Sequence, residues 1–268
     1  MGANSPSAVK PFNFLTLSLQ PMTDFEHDTV VPYRKSTLTK KQQVATMFDD
    51  IAFRYDFLNH FLSGGIDKGW RKKAIKQLSS LQPKKILDVA TGTADMAIIE
   101  SAILYPAKIT GIDISNGMLD IGREKIEALG LNNSIELLNG DCETINFADN
   151  TFDAVTVAFG VRNFEDLEKG LNEVKRVLRP GGKLIVLECT KPKTFGVKQF
   201  YNIYMNWITP NIGKLFSKNR NAYNYLNESI KKFPEGKNFT SILHNLGYKN
   251  IYCKPLTLGI CSIYCGEK

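Results

Sequence analysis

A chain of 268 residues that is 43% hydrophobic can bury the core of one full domain with an appendage. Its 34 basic and 27 acidic residues leave a net charge of +7, which suits an anionic neighbour such as nucleic acid or lipid head groups, though it serves solubility equally well. Five cysteines without CxxC spacing and three histidines (His27, His60, His244) speak for a reducing compartment and against a structural metal or a Ser-His-Asp triad, and no segment has the apolar length of a membrane span.

Residues 1–21 hold Ser, Pro and Asn, no acid and only a short, interrupted apolar run, so neither a secretory nor an organelle-targeting leader fits, and Met22 is an alternative start. Disorder is expected over residues 1–39. The remainder, 40–268, is expected to form the main domain. Its first part, 40–82, is expected to be a helical cap. Val44, Met47, Phe48, Ile51, Phe57, Leu58 and Phe61 follow a 3.6-residue period from Lys40 to Leu62. Ser63-Gly64-Gly65 breaks the helix, and a second amphipathic helix runs from Asp67 to Leu81.

A regular alternation follows. Strands are predicted at Lys85–Val89, Lys108–Ile112, Ile135–Leu138, Phe152–Ala158 and Lys183–Glu188, with two more at Tyr248–Cys253 and Gly259–Tyr264. Helices are predicted from Ala94 to Leu104, from an N-cap at Ser115 to Leu129, and from Glu165 to Leu178, the last stopped by Arg179-Pro180-Gly181-Gly182. Such alternation gives an α/β fold, a mostly parallel seven-stranded sheet with helices on both faces. A segment at 195–235 is an aromatic-rich insertion, with Phe195, Phe200, Tyr201, Tyr204, Trp207, Phe216, Tyr223 and Tyr225. It reads both as a helix packed on the sheet and as an apolar lid beside Lys198, Lys214, Lys218 and Arg220 that meets a membrane surface.

The chemistry concentrates at strand ends. An apolar strand ending at Val89, a small-residue turn, and a second strand answered by Asp113 make the layout that holds an adenosine-containing ligand, the carboxylate accepting from ribose hydroxyls. A dinucleotide would want G-x-G-x-x-G, which is absent, and this disfavours a dehydrogenase. Asp88-x-Ala90-x-Gly92-x-Ala94 resembles instead the first motif of class I S-adenosylmethionine methyltransferases, with Rossmann-like architecture. Asp88, with Asp95 as a second candidate, suits a cationic ligand end, and Ala90 and Ala94 stand where glycine is usual. Asp141 and Cys142, after the third strand, suit the adenine amino group and a ring nitrogen; Met118 is either an adenine contact or a core residue. After the fourth strand, Arg162 brings a permanent cation and a fork of donors, able to hold a phenol or quinol oxygen as phenolate, with Asn163 adding a hydrogen bond. A pairing of Arg162 with Glu165 or Asp166 explains the residue equally well.

Phe159-Gly160-Val161-Arg162-Asn163, with Asp149-Asn150-Thr151-Phe152-Asp153 before it and Arg176 to Gly182 after it, resembles the ubiquinone/menaquinone biosynthesis C-methyltransferase family. So do Met47 to Ala52, Arg54 to Asn59, Trp70-Arg71 and Tyr225 to Ile230. The resemblance covers about residue 40 to the end. It implies S-adenosylmethionine as cofactor and C-methylation of a polyprenyl quinol, demethylmenaquinol or a related benzoquinol. Gly92, Thr93, Asp113, Asp141 and Cys142 match cofactor contacts, and Tyr55, Asp56 and Asn59 lie on a cap helix that closes over substrate, where Tyr55 or Asp56 can assist deprotonation. Ala158 replaces a usual serine, removing one cofactor contact. The resemblance also implies a cytoplasmic protein meeting the inner face of the membrane, without nucleic acid or metal, and able to form a homodimer. Two rivals remain: an RNA carbon methyltransferase with Cys189 as nucleophile, and a non-catalytic scaffold of the same pathway.

Overall fold

The computed structural model describes residues 25–203 and 220–268. Seven strands, β1 (Lys85–Val89), β2 (Lys108–Asp113), β3 (Ile135–Asn139), β4 (Phe152–Ala158), β5 (Leu178–Cys189), β6 (Lys249–Leu256) and β7 (Cys261–Glu267), form one sheet in the order β3-β2-β1-β4-β5-β7-β6. The first five are parallel, and β7 runs antiparallel between β5 and β6. The strand order reverses between β1 and β4, so the crevice for a ligand opens at their carboxyl ends.

Both faces of the sheet are buried, which is why β1 and β4 read as continuous apolar runs rather than as alternation. One face packs α5 (Leu167–Val177) and the helix Lys237–Asn245 through Leu171, Val174, Phe239 and Leu243. The other packs α2 (Ile66–Ile75), α3 (Asp95–Leu104) and α4 (Asn116–Ala128) through Ile75, Ala97 and Leu119. The expected cap is visible, Ser115 Oγ accepting from Met118 N at 3.2 Å, and Asp166 caps α5 in the same way, accepting from Lys169 N at 2.9 Å. Strand β5 begins at Leu178, five residues earlier than the Pro-Gly-Gly turn suggests. Leu178 already pairs with Phe152, and the register shift between Phe152 and Ala154 absorbs the turn.

The disorder expected as far as residue 39 does not extend over residues 25–39; residues 1–24 lie outside the described residues. Val30 packs with Val44 and Met47 of α1 (Lys40–Ser63) and with Ala222 and Tyr225 of the helix Arg220–Lys232, a third apolar cluster above the sheet tips. Lys40 Nζ donates to the buried His27 carbonyl at 2.8 Å. The arm is ordered because it covers apolar surface that the cap helix would otherwise expose. Tyr204, Trp207, Lys214, Phe216 and Lys218 of the expected lid lie outside the described residues, as do the side chains of Asn59, Phe200, Arg220 and Tyr223.

Glu100 of α3 is fully buried, and neither of its oxygens accepts a hydrogen bond. Burial, and the nearby Asp88, hold its carboxyl neutral far above the usual carboxylate range. A neutral Glu100 is favoured in the folded chain while the unfolded chain ionises near pH ~4.3, so stability is lost as pH rises above that value. Glu100→Gln should therefore melt higher than the parent at pH 7–8, by about 2–4 °C per kcal/mol relieved, the gap closing near pH 4. Melts across that range check it.

Candidate functional site

The cleft lies at the carboxyl ends of β1, β2 and β4 beneath α1. Its floor is the turn after β1. Ala90, Gly92 and Ala94 all have positive φ (53°, 55° and 66°). Glycine adopts this conformation freely and alanine at a cost, which is the physical reason glycine is usual at the two alanine positions. Gly160 is the reciprocal case, for a Cβ there would stand 2.5 Å from the Ala90 methyl. A Cβ on Gly92 would meet nothing within 4 Å, so the backbone there is open to a ligand.

Asp113 ends β2 and lines the cleft. One oxygen accepts from Gly92 N at 2.8 Å and the other from Ser115 N at 2.9 Å. These bonds aim the carboxylate and still leave lone pairs for two ribose hydroxyls. Burial pushes its pKa up, against the opposing pull of the Ser115, Gly92 and Ile114 amides. Farther along, Asp141 and Cys142 line the cleft with Val44, Phe48 and Met118, an apolar slot ending in a carboxylate that suits a purine and its amino group. Burial raises the Cys142 thiol well above its ordinary range, leaving it a neutral wall.

Several expected residues are placed differently. Asp88 does not line the cleft: its oxygens accept from Thr91 Oγ1 at 2.6 Å and Thr156 Oγ1 at 2.9 Å, and burial lifts its pKa to about 6. It braces the turn from beneath instead of meeting a cationic ligand. Thr93 is buried, donating to Asp56 Oδ1 at 2.5 Å. Asp56 in turn accepts from Lys125 Nζ at 3.0 Å, which also binds Asp95. Asp56 is thus a tether between cap helix and turn, not a free base. His60 sits in the same network, 2.9 Å from Asp67 and 3.6 Å from Asp95, with Arg71 3.9 Å from Asp95. Asp56→Asn should keep the pH–rate profile of the parent and lose less than about tenfold in kcat, since a half-exposed ion pair contributes about 1 kcal/mol or less. A pH–rate series checks this, and loss of a titrating limb would return Asp56 to the chemistry.

At the other end of the cleft Tyr55 and Asn163 line the wall, and Tyr225 OH donates to Asn163 Oδ1 at 3.1 Å. Tyr55 packs edge-on to Phe48, ring centroids 5.7 Å apart. Arg162, 5% exposed, stands behind this wall. Its partner is neither Glu165 nor Asp166 but Glu188 of β5: Nη1 donates to Oε1 at 2.5 Å. Glu188 is fully buried and also accepts from Cys189 N at 2.9 Å. Despite desolvation, Glu188 keeps the guanidinium firmly protonated, and Tyr55 is among the groups its charge acts on. Burial pushes the Cys189 thiol up to about 12, so little thiolate exists there at neutral pH.

Sequence reading missed Lys41, Asp49 and Glu188. Lys41 lines the cleft and bonds Asp141 and, at 3.1 Å, Glu143. Those hydrogen bonds outweigh desolvation and raise its pKa. Asp49 accepts from Ser115 Oγ at 2.6 Å and Gly117 N at 2.9 Å, fixing α1 to α4. The available signal was a helix face bearing Lys41, Asp49 and Asp56, polar positions on a cap that otherwise faces apolar surface.

A model of the ubiE/COQ5 methyltransferase family matches residues 36–268. A demethylmenaquinone methyltransferase of Bacteroides fragilis is 46% identical over 245 residues, covering 91% of this chain and all of that one. A ubiquinone/menaquinone biosynthesis C-methyltransferase of Geotalea daltonii is 44% identical over 234 residues, covering 86% and 99%. Among solved structures, an S-adenosylmethionine-dependent methyltransferase of Methanococcus maripaludis aligns with TM-score 0.58 at 18% identity, covering 83% of this chain and 94% of that one. The [4+2]-cyclase SpnF aligns with TM-score 0.57 at 16% identity, covering 85% and 96%. These likenesses establish the fold, and the differing names show that the fold alone does not choose the reaction.

Proposed function

The chain belongs to the ubiE/COQ5 methyltransferase family, and from that premise we propose that it methylates a ring carbon of a polyprenyl quinol, demethylmenaquinol before the related benzoquinol. S-adenosylmethionine supplies an electrophilic methyl group. The observation that carries the reading is one cleft lined by Asp113, Asp141, Tyr55 and Asn163, with the buried Arg162–Glu188 pair behind its wall.

The residues of the chain divide the work. Asp113 orients the ribose, and Asp141 with Met118 and Phe48 receives the purine. Asn163, fixed by Tyr225, offers its amide to a quinol oxygen beside Tyr55. As that oxygen gives its proton to solvent, electron density moves to the adjacent ring carbon, which would form the new carbon–carbon bond to the sulfonium methyl as the sulfur–methyl bond breaks, its electron pair returning to sulfur and the thioether S-adenosylhomocysteine leaving. Arg162 favours the charge on oxygen from behind the wall, where low dielectric lengthens its reach. The ring proton leaves afterwards and aromaticity returns.

Incubation with radiolabelled cofactor and demethylmenaquinol, with RNA in parallel, tests the reading. Label in the quinol supports it, and label only in RNA overturns it. The protonated Cys189 thiol weighs against RNA, where a thiolate nucleophile is needed. The same reading extends to a cytoplasmic chain that meets its substrate at the membrane's inner face and pairs with a second copy; fractionation and sedimentation velocity test those two points. No helix among the described residues is long and apolar enough to cross a membrane.

A further inference from the structure

The sheet end that holds the cleft also carries an apolar spur. Strand β5 ends at Cys189, opposite Cys261, so the β6–β7 turn at Thr257–Gly259 projects beyond the same strand tips that surround the cleft. Loop 190–196 starts from it, its first residue bonded to the turn: Thr190 N donates to Ile260 O at 2.9 Å, and Thr190 Oγ1 to Gly259 O at 2.8 Å. On this platform Phe195 is 88% exposed and Leu258 67%.

Two features set these side chains apart from ordinary surface residues. Thr257 and Leu258 both have positive φ (46° and 56°), a backbone region that residues with a Cβ enter at a cost, and here the result is to hold a leucine out in water. Lys193, Lys198 and Lys254 are exposed on the same loop, the adjoining helix and the adjoining strand. Glu235, the acid in the groove between loop and turn, is engaged by Lys191 N at 2.6 Å. The spur is wired to the cleft: Trp70 Nε1 donates to Thr257 Oγ1 at 2.7 Å, and the Trp70 ring lies 6.4 Å from that of Phe159, which lines the cleft.

We infer that this spur docks on an anionic lipid bilayer, Leu258 and Phe195 entering the acyl boundary while Lys193, Lys198 and Lys254 meet the head groups. The inference rests on the polyprenyl quinol reading, which demands that a water-insoluble substrate reach the cleft. Two apolar side chains are too small a patch for a stable protein partner, which needs about 800 Å² a side, whereas a bilayer requires only a few inserted side chains with basic neighbours.

The test uses the full chain and vesicles of phosphatidylcholine with or without phosphatidylglycerol. The parent should sediment with anionic vesicles at least ~10-fold more tightly than with neutral ones, and less tightly in ~0.5 M salt. The double variant Phe195→Ser, Leu258→Gly should lose at least ~5-fold in vesicle binding and in turnover of vesicle-embedded quinol. It should keep turnover of a short-tailed, water-dissolved quinol within ~2-fold, glycine being well suited to the Leu258 backbone. Should that variant fail to fold, Leu258→Trp gives the same answer through its emission, which should shift blue on anionic vesicles. A parent that ignores anionic vesicles, a double variant that binds them as the parent does, an unshifted Leu258→Trp emission, or self-association through these residues in place of lipid binding overturns the inference. Absence of quinol turnover in any form, with vesicle binding intact, overturns the substrate reading instead.

Discussion

Arg162→Ala should lose about 10²–10³-fold in kcat, the loss typical when one preorganised charge-stabilising group is removed from a dry site, while cofactor affinity changes little. The same substitution should also destabilise the fold, because Glu188 is fully buried and Arg162 Nη1 lies 2.5 Å from it. Breaking one side of a buried pair leaves an uncompensated charge, a penalty of about 3–5 kcal/mol. Lost activity in the single variant is therefore ambiguous, and the double variant Arg162→Met, Glu188→Leu resolves it. Replacing both charges with apolar groups of similar volume should return stability to within about 1 kcal/mol of the parent, yet leave kcat low. Urea melts and steady-state kinetics on the same preparations give both quantities. If stability and turnover recover together, the guanidinium is a structural element and the electrostatic role is refuted.

The pairing also explains why a catalytic reading of Arg162 was reachable from sequence while its setting was not. Strand tips, the small-residue turn and Asp113 are local features, readable because hydrophobic runs and glycine positions fix them within a few residues. Glu188 is 26 positions from Arg162, Lys41 100 from Asp141, and Asp49 66 from Ser115; only the closed sheet and docked cap bring each pair together. Asp88 illustrates the opposite error. Leading the motif suggested a ligand contact, whereas the side chain is buried beneath the turn, bonded to Thr91 and Thr156, and does not line the cleft. The setting of Asp56 was hidden for a similar reason, since helical spacing shows which face a residue shares but not that Lys125 and Thr93 wait opposite it. The N-terminal arm looked disordered because its composition is weak; a small apolar contribution, Val30 against Val44 and Tyr225, was enough to order it.

Asp113→Asn should cost cofactor binding about 10²-fold or more, from losing charge-assisted hydrogen bonds worth roughly 1.5–3 kcal/mol each. The substitution keeps the shape, but an amide has one accepting oxygen where the carboxylate has two. It can serve Gly92 N or Ser115 N, not both, and it presents an N–H to the ribose side. The turn after β1 should loosen along with the loss of affinity, so hydrogen exchange at Gly92 and Ser115 should quicken even without ligand. The pH dependence carries a sign of its own. Burial raises the Asp113 pKa in the free protein, and ribose binding favours the ionised form. Parent affinity should therefore fall on acidification from a higher pH than an ordinary carboxylate near ~3.9 would give. Asp113→Asn, having no proton to gain there, should bind weakly with a flat profile. Calorimetric titration of S-adenosylhomocysteine from about pH 4, near the ordinary carboxylate value, up to pH 8 measures both the affinity and its slope. If the two proteins share the same slope, the titrating group is not Asp113, which is then a turn-building residue more than a ligand-binding one.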